Sequence, residues 1–141
     1  MILVDTSVWI HHLRTGDPQL TALLQEDQVL AHPWVIGELA LGRLSGRGEV
    51  LGLLSNLPRA TIATEAEVMT LVETRHLFGL GIGYVDAHLL AATLLTTDAS
   101  VWTRDKRLAA AAADLEIAYR TTGPDPDRVR AASRRSRPRP T

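Results

Sequence analysis

Apolar positions along the chain follow two periods in turn. Ile2-Leu3-Val4 is a short β-branched-rich run closed by Asp5-Thr6-Ser7, after which Val8, Trp9, Ile10 and Leu13 recur at helical spacing. The pattern predicts a strand and then a helix, with Thr6 or Ser7 capping the helix by accepting from one of its free N–H groups. Gly16-Asp17-Pro18 marks a turn, and Leu20, Leu23 and Leu24 place a second short helix over 19–26. Val29-Leu30-Ala31 reads as another strand, and Pro33 suits the first position of a helix carrying Trp34, Val35, Ile36, Leu39 and Leu41.

The second half repeats the alternation. Gly42, Gly46 and Gly48 predict a break over 43–49, with a short helix over 50–54. A third short strand is expected over 60–62, and an amphipathic surface helix over 64–77. Gly79, Gly81 and Gly83 separate that helix from one over 84–95, and a turn at 96–98 leads into a strand over 100–103. Residues 106–113 are rich in strong helix formers, and 115–119 reads as a last strand. Strands alternating with helices over this length predict an α/β fold with a mostly parallel central sheet.

Composition sharpens this reading without redirecting it. A chain of 141 residues with 45% apolar positions can fold on its own core as one small domain. Zero cysteines exclude disulfides, zinc-finger or iron–sulfur ligation and a thiol nucleophile. The start of the chain lacks a basic leader and no segment approaches 18 uninterrupted apolar residues, so neither a signal peptide nor a membrane span is expected. A cytoplasmic setting is compatible with this.

Charge divides the chain. Residues 1–122 hold nine Lys and Arg against fourteen Asp and Glu, whereas 123–141 hold six arginines against Asp125 and Asp127. Residues 1–122 are therefore expected to form the folded domain and 123–141 a flexible arginine- and proline-rich tail, since the latter has too few apolar side chains to offset the entropy of ordering. Such a tail serves either as a solubilising terminus or as a phosphate-binding arm.

Four acids stand in unusual places. Asp5 follows the first strand, at the edge where open parallel sheets hold ligands, and it reads equally as a helix cap. Glu38 is the only formal charge between Asp27 and Arg43, in an apolar helix where burial would demand a positive partner or several donors; otherwise it lies on a narrow polar stripe. Asp86 repeats this at the start of the 84–95 helix, where a first-turn carboxylate is also favoured by the helix dipole. His88, two positions on, points elsewhere around the helix, which argues against a shared metal site. Asp105 opens the last helix, and Thr103 two residues earlier faces the same side if the strand continues that far. Together the four acids are expected to converge on one edge. Converging carboxylates repel unless cations neutralise them, and an all-oxygen set suits Mg²⁺ or Mn²⁺, whose chemistry includes phosphodiester hydrolysis.

Ile2-Leu3-Val4-Asp5-Thr6-Ser7-Val8-Trp9, Glu38, Gly83-Tyr84-Val85-Asp86-Ala87-His88-Leu89-Leu90 and Trp102-Thr103-Arg104-Asp105-Lys106-Arg107-Leu108 stand in an order that resembles the PIN-domain ribonucleases of the VapC toxin family, over residues 1 to about 120. The resemblance implies a three-layer α/β/α PIN-like fold. It also implies a Mg²⁺- or Mn²⁺-dependent endoribonuclease acting on structured RNA such as tRNA or rRNA, as the toxin of a type II toxin–antitoxin pair. Such a protein is usually a homodimer, neutralised by a VapB-type antitoxin. The family's catalytic and metal-binding acids correspond to Asp5, Glu38, Asp86 and Asp105, with Thr6 and Thr103 as supporting groups. His11 stands where close relatives are expected to carry an acid. Arg14, Arg43, Arg47, Arg104, Lys106 and Arg107 are candidates for RNA contacts and are equally explained by solubility. The competing readings are a non-toxin PIN-type RNA-processing nuclease, a metal phosphohydrolase of small phosphates, and an RNA-binding or regulatory module with weak or no catalysis. A phosphate loop is absent, and Ser7 stands where a phosphoaspartyl enzyme would usually carry a second acid.

Overall fold

A computed structural model of the chain describes residues 1–121. The proposed tail at 123–141 lies outside the described residues. The sheet is built from β1 (Ile2–Val4), β2 (Val29–Leu30) and β3 (Ser100–Trp102), in the order β2-β1-β3 with both pairings parallel. Leu3 pairs with Leu30 and Val101, so the first strand of the chain lies at the centre, between partners drawn from residues far along it. Parallel neighbours need long crossovers, and helices supply them. These are α1 (Thr6–Thr15), α2 (Pro18–Gln25), α3 (Pro33–Leu41), α4 (Arg47–Asn56), α5 (Glu65–Thr74), α6 (Tyr84–Leu95) and α7 (Lys106–Asp114), and the architecture is three-layer α/β/α.

Two apolar clusters show how the strands separate the layers. Leu3, Val4 and Trp102 pack with Val8, Trp9, Leu20, Val35, Leu39 and Leu89. Val101, next to Trp102 in β3, joins Leu90, Leu108, Ala111 and Ala112 instead. Successive strand residues point to opposite faces, which separates Val101 from Trp102 in β3, whereas Leu3 and Val4 of the central strand both join the first cluster. Helix α6 is buried continuously from Ala87 to Thr93. Its apolar run wraps the whole helix because it contacts several partners at once, including Val68 of α5 through Ala87 and Ala91. Among the described residues no helix is long and apolar enough to cross a membrane.

The observed elements depart from the expected ones at several places. Asp5, not Thr6 or Ser7, caps α1: its side chain accepts from the Thr6 N–H. Helix α4 begins at Arg47 rather than residue 50, entered through Gly46 in the left-handed region at φ 63°, where a residue lacking Cβ is unstrained. Helix α5 stops at Thr74, and Thr64 is its cap in a reciprocal box with Glu67. The strands expected at 60–62 and 115–119 are reduced to single parallel bridges, Ala31 with Arg59 and Val101 with Ala118. Each bridge is held by two backbone bonds. Ala31 N donates to Pro58 O and Ala60 N to Ala31 O, while Val101 N donates to Ile117 O and Tyr119 N to Val101 O.

Candidate active site

The carboxyl ends of β1 and β3 deliver their next residues directly into helix N-termini. Val4 is followed by Asp5, the cap of α1, and Trp102 by Thr103 and then Asp105, the cap of α7. Asp5 is 6% exposed. Its Oδ1 accepts from Thr6 N at 2.7 Å, and its Oδ2 accepts from Ser7 Oγ at 2.8 Å and Thr103 Oγ1 at 2.7 Å. The network continues outward: Thr103 Oγ1 accepts from Asp105 N at 3.0 Å, and Ser7 Oγ accepts from Arg104 N at 3.0 Å. Asp105 Oδ1 in turn accepts from Arg107 N and Leu108 N, closing the first turn of α7.

Glu38 enters from α3. It is exposed, as the polar-stripe alternative has it, and Thr6 Oγ1 donates to its Oε1 at 3.1 Å. The apolar residues around it in sequence do not enclose it, because α3 also carries apolar side chains on its outer side: Leu41 is 91% exposed. Thr6 thus links two acids, donating its N–H to Asp5 and its hydroxyl to Glu38.

Asp86 sits in the first turn of α6, where its Oδ2 accepts from Gly83 N at 3.2 Å. Its carboxyl is held above the ordinary carboxylate range, first by burial and then by the like charges of Asp5, Asp105 and Glu38, with the Gly83 N–H opposing. The charges of Asp5, Asp105 and Glu38 thus all reach Asp86. Their hydrogen-bond partners are hydroxyls and backbone N–H groups, so repulsion within the group is only partly offset. Among the described residues no three His, Cys, Asp or Glu side chains stand as a ready-made metal-ligand cluster. Asp86 and Asp105 are instead turned to their own helix N-termini. The donor set nevertheless fits a hard divalent cation: it consists of carboxylate and hydroxyl oxygens, and positive charge among them would lower the electrostatic cost that raises Asp86.

Ser7 is a site residue that sequence reasoning did not single out. Its signal is its spacing, two residues beyond an Asp at a strand end. The basic candidates divide in two. Arg104, Lys106 and Arg107 flank Asp105 with exposed side chains, and the Arg107 guanidinium lies against Gly81, where an added Cβ would approach Arg107 Nη1 to 2.6 Å. Arg14 lies in the last turn of α1, roughly 12 Å along the axis from Thr6 at 1.5 Å per residue. Arg43 is exposed, and Arg47 Nη2 donates to Ala40 O, tying α4 to the end of α3.

A histidine and aromatic cluster joins the starts of α3 and α6. His32 caps α3, its Nδ1 accepting from Trp34 N at 3.1 Å, and the ring is fully buried with Nε2 lacking a partner. Burial, aided by His88 and Arg59, lowers its pKa to about 4. His88 is likewise buried, with Nδ1 lacking a partner, and burial lowers its pKa too. Its ring packs on Trp34 and Tyr84 rather than turning toward the acids.

The family model of the PIN domain matches residues 2–114. Two proteins called Ribonuclease VapC32, from the CDC 1551 and H37Rv strains of Mycobacterium tuberculosis, are each 52% identical over 118 residues, covering 84% of this chain and 95% of theirs. No solved structure gives a significant match. Matches of this extent, with acids at the carboxyl edge of a parallel sheet, establish that the chain belongs to the PIN-domain ribonucleases of the VapC toxin family.

Proposed function

We propose that this protein is a Mg²⁺- or Mn²⁺-dependent endoribonuclease with Asp5, Glu38, Asp86 and Asp105 as its catalytic acids, Thr6 and Thr103 as supports, and tRNA or rRNA as substrate. The observation that carries the proposal is the hydrogen-bond chain that runs from Glu38 through Thr6 to Asp5 and on through Thr103 to Asp105 at the carboxyl ends of β1 and β3, with the same acids acting on Asp86. Asp5, Asp86 and Asp105 would hold the cation, joined by Glu38. A bound divalent ion supplies the charge that lets the carboxylates ionise together and offsets negative charge developing at the scissile phosphate.

The chain's own groups set the rest. Thr103 and Ser7 fix the orientation of Asp5 through its Oδ2, and Thr6 fixes Glu38. Glu38, exposed and held by one hydroxyl, is free to orient the attacking water and take its proton. Water adds to phosphorus, the P–O3′ bond breaks, and the 3′-oxygen leaves to become a hydroxyl. The products carry 5′-phosphate and 3′-hydroxyl ends. Arg104, Lys106 and Arg107 beside Asp105 are placed to contact phosphates, with Arg14, Arg43 and Arg47 serving more distant ones.

The 52% identity to proteins named as VapC ribonucleases supports a toxin role in the cytoplasm, as a homodimer silenced by a VapB-type antitoxin. An antitoxin arginine set against the carboxylates would exclude metal and RNA together. We assign the nuclease to residues 1–122 and regard 123–141 as an appended basic tail. The deciding experiment incubates the protein with total bacterial RNA, with and without Mg²⁺ or Mn²⁺, beside Asp5→Asn and Asp86→Asn variants. Metal-dependent cleavage by the wild type alone is expected. Equal cleavage by all three proteins, or 2′,3′-cyclic phosphate ends, would overturn the mechanism, and RNA binding without cleavage would leave a regulatory module.

A further inference from the structure

Aromatic side chains are scarce here: three Trp, two Tyr and one Phe in 141 residues. Trp9 and Trp102 are buried in the core, and Tyr119 packs on Trp102. Trp34 and Tyr84 are placed differently. They are 37% and 47% exposed, although each is large enough to stabilise a core if buried, and they meet edge to face, with ring centroids 6.0 Å apart and ring planes at 64°.

The pair is held from behind. His88, 5% exposed, stacks on Trp34 at 4.1 Å with an interplanar angle of 31°, and meets Tyr84 edge-on at 4.7 Å. The neighbouring helix starts also restrain it, since Trp34 donates its backbone N–H to the His32 cap and Tyr84 opens α6. A ring stacked on one side and open to solvent elsewhere is preorganised to receive a second flat group.

Its location relates it to the acids. Trp34 and Glu38 are four residues apart on α3 and so lie on one face, about 6 Å apart along the axis at 1.5 Å per residue. Tyr84 is tied to this face through its edge contacts with Trp34 and His88. We propose that Trp34 is a stacking platform, with the Tyr84 ring as its edge wall, for one unpaired nucleobase next to the scissile phosphate, making them positioning residues that set which phosphate of a single-stranded RNA region reaches the acids. Every base presents a flat π-face, so such a platform fixes register while reading little sequence. One partly open indole bounded by a second ring suits a single base and is small for a protein-docking surface.

This inference rests on the ribonuclease reading, so the test separates the two. Short single-stranded RNAs spanning a mapped cut site, each with one abasic position, are cleaved by wild type and by Trp34→Ala, Tyr84→Ala and Trp34→Phe variants. Fluorescence anisotropy measures binding of the same RNAs in an Asp86→Asn background. Trp34→Ala is expected to raise KM about tenfold while kcat falls less than threefold, and Trp34→Phe to recover most of the loss. One abasic position beside the cut should raise the wild-type KM by a similar factor and add little in Trp34→Ala. Penalties that stay equal on intact and all abasic RNAs would overturn the platform, as would a loss explained by a changed oligomeric state in sedimentation. A wild type that cuts no RNA would sink the ribonuclease reading instead, and the anisotropy series would still decide the platform.

Discussion

Thr103→Val removes one hydroxyl and almost no volume, which makes it a clean perturbation of the site. The oxygen it deletes donates to Asp5 Oδ2 at 2.7 Å, accepts from Asp105 N at 3.0 Å and lies 3.3 Å from Ser7 Oγ. A hydrogen bond to a charged group contributes about 1.5 to 3 kcal/mol. Asp5 is buried, so water does not readily replace the lost donor, whereas Asp105 is exposed and its N–H finds solvent. Ser7 still donates to the same Asp5 oxygen, which places the net loss in the lower part of that range, about 1.5 to 2 kcal/mol. With an unfolding entropy of about 2.1 cal/mol/K per residue over a domain of about 120 residues, Tm should fall by roughly 6 to 8 °C. Melting followed by circular dichroism in EDTA measures this without metal. Cleavage should fall at least tenfold, because Asp5 keeps only one of two hydroxyl donors. Thr103→Ser should retain both properties. Adding Ser7→Ala should show coupling of about 0.5 to 3 kcal/mol in a double-mutant cycle, since both hydroxyls meet one oxygen. A Thr103→Val protein that melts within 1 °C of wild type and cleaves within about twofold would refute the claim that Thr103 positions Asp5.

Asp86→Asn should abolish cleavage yet raise the melting temperature in EDTA at pH 7, and Mg²⁺ should no longer raise it further. The sign follows from the elevated Asp86 carboxyl: its folded form holds the proton more tightly than the unfolded chain, so its share of stability is present at low pH and lost as pH climbs past the ordinary Asp range. His32 gives the opposite slope. Its ring is buried neutral with a pKa lowered from 6.5 to about 4, so its contribution is full above pH 6.5 and declines by about 3 kcal/mol as pH falls to about 4. Urea titrations at pH 7, 5.5 and 4 should show that loss in wild type and a smaller one in His32→Asn, whose amide oxygen still caps α3; identical slopes would contradict it. Gly81→Ala should cost about 1 kcal/mol, measurable by urea titration, because Gly81 sits at φ 75° and its new Cβ must displace the Arg107 side chain.

What could be read from the sequence followed from how locally each feature is encoded. Asp5 directly follows Ile2–Val4 and Asp105 stands three residues beyond Ser100–Trp102, so placing them at the carboxyl ends of the strands needed only strand ends and the geometry of parallel sheets. Whether Glu38 is exposed was not legible, because a helix's apolar residues need not all face the core, and Leu41 and Trp34 of α3 face outward. Pro58 offers no N–H to a ladder, and the chain near Ala31 meets 58–60 through only two bonds, so an apolar-looking segment stops short of being a strand. Ser7 and the buried cap His32 depend on partners distant in sequence or on cap geometry, which periodicity does not encode.

The Thr103–Asp5 bond joins residues 98 positions apart, and β1 cannot take its place beside β3 until residues 100–102 exist. During synthesis the first acid of the site is therefore made almost at once and left without its companions while most of the domain is translated. At about 5 to 20 residues per second the interval is several seconds. A nascent or prematurely terminated chain carries Asp5 and Glu38 but neither Asp105 nor the hydroxyl of Thr103, so the hydrogen-bond chain between them closes only when the domain is nearly complete. The central strand is thus made first and seated last.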